Sequence, residues 1–146
     1  MSLTPEQALR AYAAMMNTLD TSHLEPLLAE DFQYASQWVF AEIVSKSEYL
    51  ACIASKLDAI RKSGTVVWAE MGWLDREIPG PCVVTAQGNK NNLLAVVLAK
   101  VERGKIARLD LCGAPSPHSA RRTGEYPQSG DRTPQVNNPS ENGVKK

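Results

Sequence analysis

Histidine is nearly absent from this chain: His23 and His118 are the only two among 146 residues. That scarcity removes a zinc centre built on clustered histidine and cysteine ligands, so no metal and no other cofactor is expected. Cysteine is sparse as well. Cys52, Cys82 and Cys112 are odd in number, widely spaced and form no CxxC pair, which argues against a disulfide framework. A nucleophilic Cys–His pair would have to draw on one of those two histidines, and small buried thiols fit the pattern better. Net charge is missing too, since 16 basic and 16 acidic residues cancel. A balanced chain lacks the field that captures nucleic acid or anionic lipid, so neither is expected as a partner. The longest apolar run, Leu93 to Ala99, falls far short of the roughly 20 residues that span a bilayer. Met1 to Glu6 has no basic stretch leading into an apolar one, so no secretory signal is expected and the location reads as cytoplasmic.

What the chain does have is a hydrophobic content of 43%, enough for one packed domain. Composition changes near Ala114. Pro115 to Lys146 holds five of the nine prolines, and Tyr126, Val136 and Val144 are its only sizeable apolar side chains. Such a segment buries too little to offset its ordering entropy, so the domain is placed at 1–114 and a Pro-rich polar tail at 115–146. From Gln128 onward the tail reads as disordered. Pro115 to Pro127 is richer and is free to lie along the domain or a partner subunit. Arg121 and Arg122 read as solvated there.

Thr4, Pro5 and Gln7 form a capping box that opens a helix, and Ala8, Tyr12, Met15, Met16 and Leu19 give it one apolar face. A short second helix is predicted from Ser22 to Leu28, with Pro26 in or near its first turn. Phe32 to Tyr34 and Trp38 to Ile43 look extended. Ser45 and Glu48 make a second capping box, followed by the stripe Leu50, Ile53, Leu57 and Ile60 and closed by Gly64. From Thr65 the period becomes that of strands: Val66 to about Asp75, Cys82 to Gln87, Leu93 to Glu102 and Lys105 to Cys112. Their connections are too short for helical crossovers, so they form an antiparallel meander. Three helices followed by a four-stranded meander make an α+β layout with the helices on one face of the sheet.

This order of elements resembles the nuclear-transport-factor-2-like superfamily, which includes SnoaL-like polyketide cyclases, ketosteroid isomerase and limonene epoxide hydrolase. The resemblance covers Thr4 to Gly113. It rests on Tyr12, Asn17 to Asp20, Leu27 to Phe32 and Gly104 to Ile106. It implies a cone, a curved antiparallel sheet wrapped around the long N-terminal helix, with an apolar pocket at the open end. It also implies a homodimer packed through the outer face of the sheet. Of the isomerase machinery, Tyr12 falls at the oxyanion-hole tyrosine, but Ser36 replaces the aspartate base and Val97 the neutral aspartic acid. Two of the three roles are therefore empty. Of the epoxide-hydrolase set only Asp110 is matched, because no Arg-x-Asp occurs on the Cys82 or Leu93 strand.

On the last strand, alternation puts Arg108, Asp110 and Cys112 on one face and Leu109 and Leu111 on the other. The resemblance would turn the first set into the cone. Asp110 would then be the proton-transfer group, Arg108 would orient it, and Tyr12, Cys112, Trp38 and Val97 would contact substrate. Alternation alone favours the leucines facing inward, with the charged pair on solvent or a partner. Glu70 is a further acid on the first long strand, with a solvated face as its simpler reading. Trp38, Trp68 and Trp73, with Tyr34, are core or interface aromatics as readily as ligand platforms. Two functions follow. One is a pocket for an apolar small molecule with a polar handle, with proton-transfer chemistry of the isomerase, cyclase or hydrolase kind. The other is a non-catalytic dimeric accessory module whose tail docks on a partner.

Overall fold

A computed structural model describes residues 2–129 of the chain; the predicted disorder beyond Gln128 lies, apart from Gln128 and Ser129, outside the described residues. Helix α1, Pro5–Thr18, is started by Thr4, whose hydroxyl accepts from the Gln7 amide at 3.1 Å while the Gln7 side chain accepts from the Thr4 amide at 2.9 Å. It stops at Leu19, which takes a left-handed conformation with φ 59°. Helix α2, Lys46–Ser63, is capped by Ser45 and closed by Gly64 at φ 74°, a backbone position that favours glycine.

The strands are β1 (Leu28–Ser36), β2 (Val39–Ile43), β3 (Val67–Leu74), β4 (Gly80–Gln87), β5 (Leu93–Glu102), β6 (Lys105–Cys112) and β7 (Arg121–Arg122). They form one curved sheet in the order β2-β1-β6-β5-β4-β3-β7. β3 to β6 is the expected antiparallel meander. The sheet as a whole is mixed, because β1 lies parallel to β6. The stretch predicted as a second helix is two consecutive 3-10 turns, Thr21–His23 and Glu25–Leu27. Asp20 caps the first turn, and Pro26 lacks the N–H that a longer helix would need there.

α1 lies in the concave face of the sheet, and the small residues Ala8 and Ala13 let its backbone come close. Leu9, Met15 and Met16 meet Phe32, Val83, Val97 and Leu109 in the main core, and Ile53 and Leu57 of α2 close it. Each large apolar side chain so buried contributes roughly 1.5–3 kcal/mol. The convex face carries a second apolar cluster of Leu74, Cys82, Val84, Val96 and Cys112.

The chain covers that cluster itself. From Gly113 it crosses the convex face with Pro117 buried and Ala120 packed on the cluster. It then turns along the free edge of β3, where Arg121 and Arg122 pair with Trp73 and Gly72. Thr123 and Glu125 continue the pairing through the Met71 carbonyl and amide. A side chain at position 72 would meet the Arg121 carbonyl and the Val84 methyl, both at 3.1 Å, so the close approach requires glycine. Glu70 is anchored rather than solvated: it accepts from Arg122 Nε and from the Gly124 amide, each at 2.7 Å.

Candidate functional site

The open end of the concave face holds a cavity of about 430 Å³ between α1, the C-terminal half of α2 and the ends of β3, β4 and β5. Tyr12 and Met16 of α1 form its inner wall, opposite Val67, Ala95 and Leu111 of the sheet. Lys56, Ile60 and Ser63 line it from α2 at helical spacing, and Thr65, Thr85 and Gln87 supply polar groups at the far side. Trp38 and Leu94 stand at the mouth. Trp38 is 60% exposed, yet it is positioned: its ring would come within 3.0 Å of a side chain at Gly113. Next to it, the Gln37 amide oxygen accepts from the Gly113 and Ala114 amides at 2.8 and 2.9 Å, and its nitrogen donates to the Ala114 carbonyl at 2.8 Å. The turn that carries Trp38 is thereby tied to the end of β6.

Among the described residues two ionisable side chains line the cavity. Burial pushes the Tyr12 phenol well above its ordinary pKa, so it stays a neutral donor at physiological pH. Its hydroxyl hydrogen-bonds to none of the described residues. Tyr34 and Tyr49 lie close by, and burial pushes Tyr34 up to about 12 and Tyr49 well above the usual range. Lys56 is exposed along much of its length, but the surrounding wall withdraws enough water to lower its pKa from the ordinary lysine value. Among the described residues no carboxylate or imidazole lines the cavity.

Of the residues expected at the site, the structure brings Tyr12 and Trp38 to the cavity. Val97 is fully buried in the core. Leu109 and Leu111 take the concave face of β6, which leaves Arg108, Asp110 and Cys112 on the convex face. The charged pair therefore does not enter the cavity. Arg108 Nε donates to both Asp110 carboxylate oxygens at 3.0 and 3.1 Å, and its terminal nitrogens reach Glu42 at 3.1 and 3.2 Å and Gln33 at 3.2 Å. This joins β6, β1 and β2, and Arg108 draws the Glu42 carboxyl below its usual pKa. Burial pushes the Cys82 thiol up to about 11 and raises Cys112 as well, so both stay protonated. Among the described residues no group of three His, Cys, Asp or Glu side chains is placed to hold a metal ion. No helix of the described residues is long and apolar enough to cross a membrane.

Sequence reasoning missed Lys56, Thr65, Gln87 and Leu111. The available signal was on α2, where Lys56 stands one turn before Ile60 and beside the buried Ile53 and Leu57.

No protein-family model and no curated protein matches this chain. Its backbone is similar to several solved structures. One is an NTF2-like protein of unknown function from Cytophaga hutchinsonii, 13% identical, with a TM-score of 0.52 over 79% of this chain and 96% of that one. A candidate polyketide cyclase from Pseudomonas putida is 15% identical, with a TM-score of 0.52 over 81% and 97%. A candidate ketosteroid isomerase from Kribbella flavida is 18% identical, with a TM-score of 0.51 over 73% and 76%. Likeness at such identity is one of backbone alone, and by it this chain has the nuclear-transport-factor-2-like fold.

Proposed function

We propose that the chain binds an apolar small molecule carrying a polar group, with isomerase- or cyclase-type chemistry as the reaction class of this site. The observation that carries the reading is an apolar cavity of about 430 Å³ lined in part by Tyr12, whose hydroxyl has no hydrogen-bond partner among the described residues. That volume falls within the roughly 300–1,000 Å³ of small-molecule sites, which are mostly apolar with a few placed polar groups. Tyr12 donates to a ligand oxygen, and Trp38 covers the ligand at the mouth. In an isomerisation or cyclisation, negative charge grows on such an oxygen; the described lining holds no carboxylate or imidazole to take a proton, so the part played by this wall is to stabilise charge. A fixed donor in apolar surroundings stabilises that charge. The names given to the similar proteins from Pseudomonas putida and Kribbella flavida support this class.

Native mass spectrometry of gently purified protein, beside the same sample denatured, tests the reading. Protein carrying a released non-covalent mass is the expected result. Acetonaphthone, an apolar ketone, serves as an added probe. Tyr12→Phe removes one hydrogen bond, worth about 1 kcal/mol, and so weakens its binding about fivefold without unfolding the protein. A chain that holds neither a co-purified mass nor acetonaphthone overturns the proposal.

A further inference from the structure

We infer that the ligand of this cavity is an amphipathic organic anion, a carboxylate or sulfonate on an apolar body, with its charged end on the Lys56 ammonium. The inference rests on the cavity being the ligand site and specifies what that ligand is. Among the described residues Lys56 is the one charged side chain lining the cavity. It makes no hydrogen bond or ion pair with any described residue. Other lysines are engaged: Lys46 lies 3.8 Å from Glu30, Lys62 2.9 Å from Asp58, and Lys100 3.3 Å from Glu102. Lys90 sits over the Trp68 and Tyr126 rings, and Lys105 donates to the Pro26 carbonyl at 2.9 Å.

Sequence explains why Lys56 is different. Its neighbours three and four positions away on α2 are Cys52, Ile53, Ala59 and Ile60, none of them acidic, so the helix supplies no partner. The wall crowds the ammonium on one side and lowers its pKa, while much of the side chain stays exposed. A cation that loses water without gaining a counterion is left at an energetic disadvantage, which an incoming anion relieves. A neutral ligand leaves that disadvantage in place, and a cationic one adds repulsion. The side chains of Thr65 and Gln87 share the cavity, are likewise unpaired among the described residues, and supply neutral donors to an anion's remaining oxygens. Met16, Ile60, Val67 and Leu111 enclose the apolar body.

Two dyes that fluoresce in apolar surroundings separate this inference from the reading beneath it. Anilinonaphthalene sulfonate and phenylnaphthylamine share their rings and differ by the sulfonate. Both are titrated into wild type, Lys56→Met, Lys56→Arg and Ile60→Trp, whose larger side chain intrudes into the apolar part of the cavity. Lys56 is exposed enough that its replacement leaves folding intact, which circular dichroism verifies. The expected result is that Lys56→Met weakens the sulfonate about tenfold and phenylnaphthylamine less than about twofold, that Lys56→Arg retains the sulfonate, and that Ile60→Trp removes both dyes. Equal sulfonate affinity in wild type and Lys56→Met, with phenylnaphthylamine still displaced by Ile60→Trp, overturns the anion inference and leaves the cavity reading standing. Failure of both dyes to bind wild type overturns the two together.

Discussion

Asn17 and Tyr49 are both 1% exposed, one on each helix facing the sheet, and they treat the burial of a polar group in opposite ways. The Asn17 amide bridges the open edge of β3 to the chain beyond it. Its oxygen accepts from the Ala69 amide at 2.8 Å, and its nitrogen donates to the carbonyls of Ala69 and Pro127 at 2.9 and 2.8 Å. Replacing it with alanine strands buried backbone groups, so Asn17→Ala should lower unfolding free energy by about 2–3 kcal/mol in urea titration. Tyr49 buries a hydroxyl that has no hydrogen-bond partner among the described residues, although its ring packs on Phe32 at 4.9 Å and Tyr34 at 5.1 Å. Tyr49→Phe keeps those ring contacts and drops the hydroxyl. The same titration should find this variant as stable as wild type or up to about 1 kcal/mol more so. A loss above about 1 kcal/mol would mean that the hydroxyl has a partner after all.

At the scale of elements, one anchor of the segment from Gly113 to Pro127 is the ion pair of Arg122 with the buried Glu70. Glu70 keeps only 4% of its side chain exposed, and Arg122 holds it while also donating to the Lys90 carbonyl at 2.7 Å and the Asn91 side chain at 2.9 Å. Arg122→Met leaves the Glu70 carboxylate buried with the Gly124 amide as its remaining donor. Because Arg122 is itself partly exposed, the expected loss is about 2–3 kcal/mol, below the figure for a fully buried pair. Limited proteolysis should then cut first between Ala114 and Pro127. Unchanged cleavage would show that the segment's other contacts, among them Pro117, Ala120, the β3 edge and the Asn17–Pro127 hydrogen bond, hold it without the ion pair.

What the sequence made legible follows the range of the forces involved. The starts of α1 and α2 were readable because Thr4–Gln7 and Ser45–Glu48 act across three residues, and the meander because β3 to β6 join by short turns. The parallel pairing of β1 with β6 was not readable, since no local pattern links Leu28 to Ile106. The path of residues 114–127 was hidden for a related reason. That segment is ordered by a sheet edge, by Asn17 and by Glu70, each 48 or more positions away, and its own apolar content is low. At the site, helical spacing gave Tyr12 and the resemblance marked it. The facing of Arg108 and Asp110 was left open by alternation, and packing decided it through Leu109 and Leu111.

For the whole molecule, the parallel pairing of β1 with β6 sets a schedule during synthesis. Leu28 leaves the ribosome 78 positions ahead of its partner Ile106. At about 5–20 residues per second that gap lasts roughly 4–16 s. Throughout it α1 has been made but has no finished sheet to lie on, and its apolar face of Leu9, Tyr12, Met15 and Met16 is open to solvent. Secondary structure can form in microseconds, so translation, and not folding, limits this interval. For those seconds the nascent chain presents the kind of apolar helix that chaperones bind. A slowly translated stretch of message before β6 would lengthen that exposure without changing an amino acid.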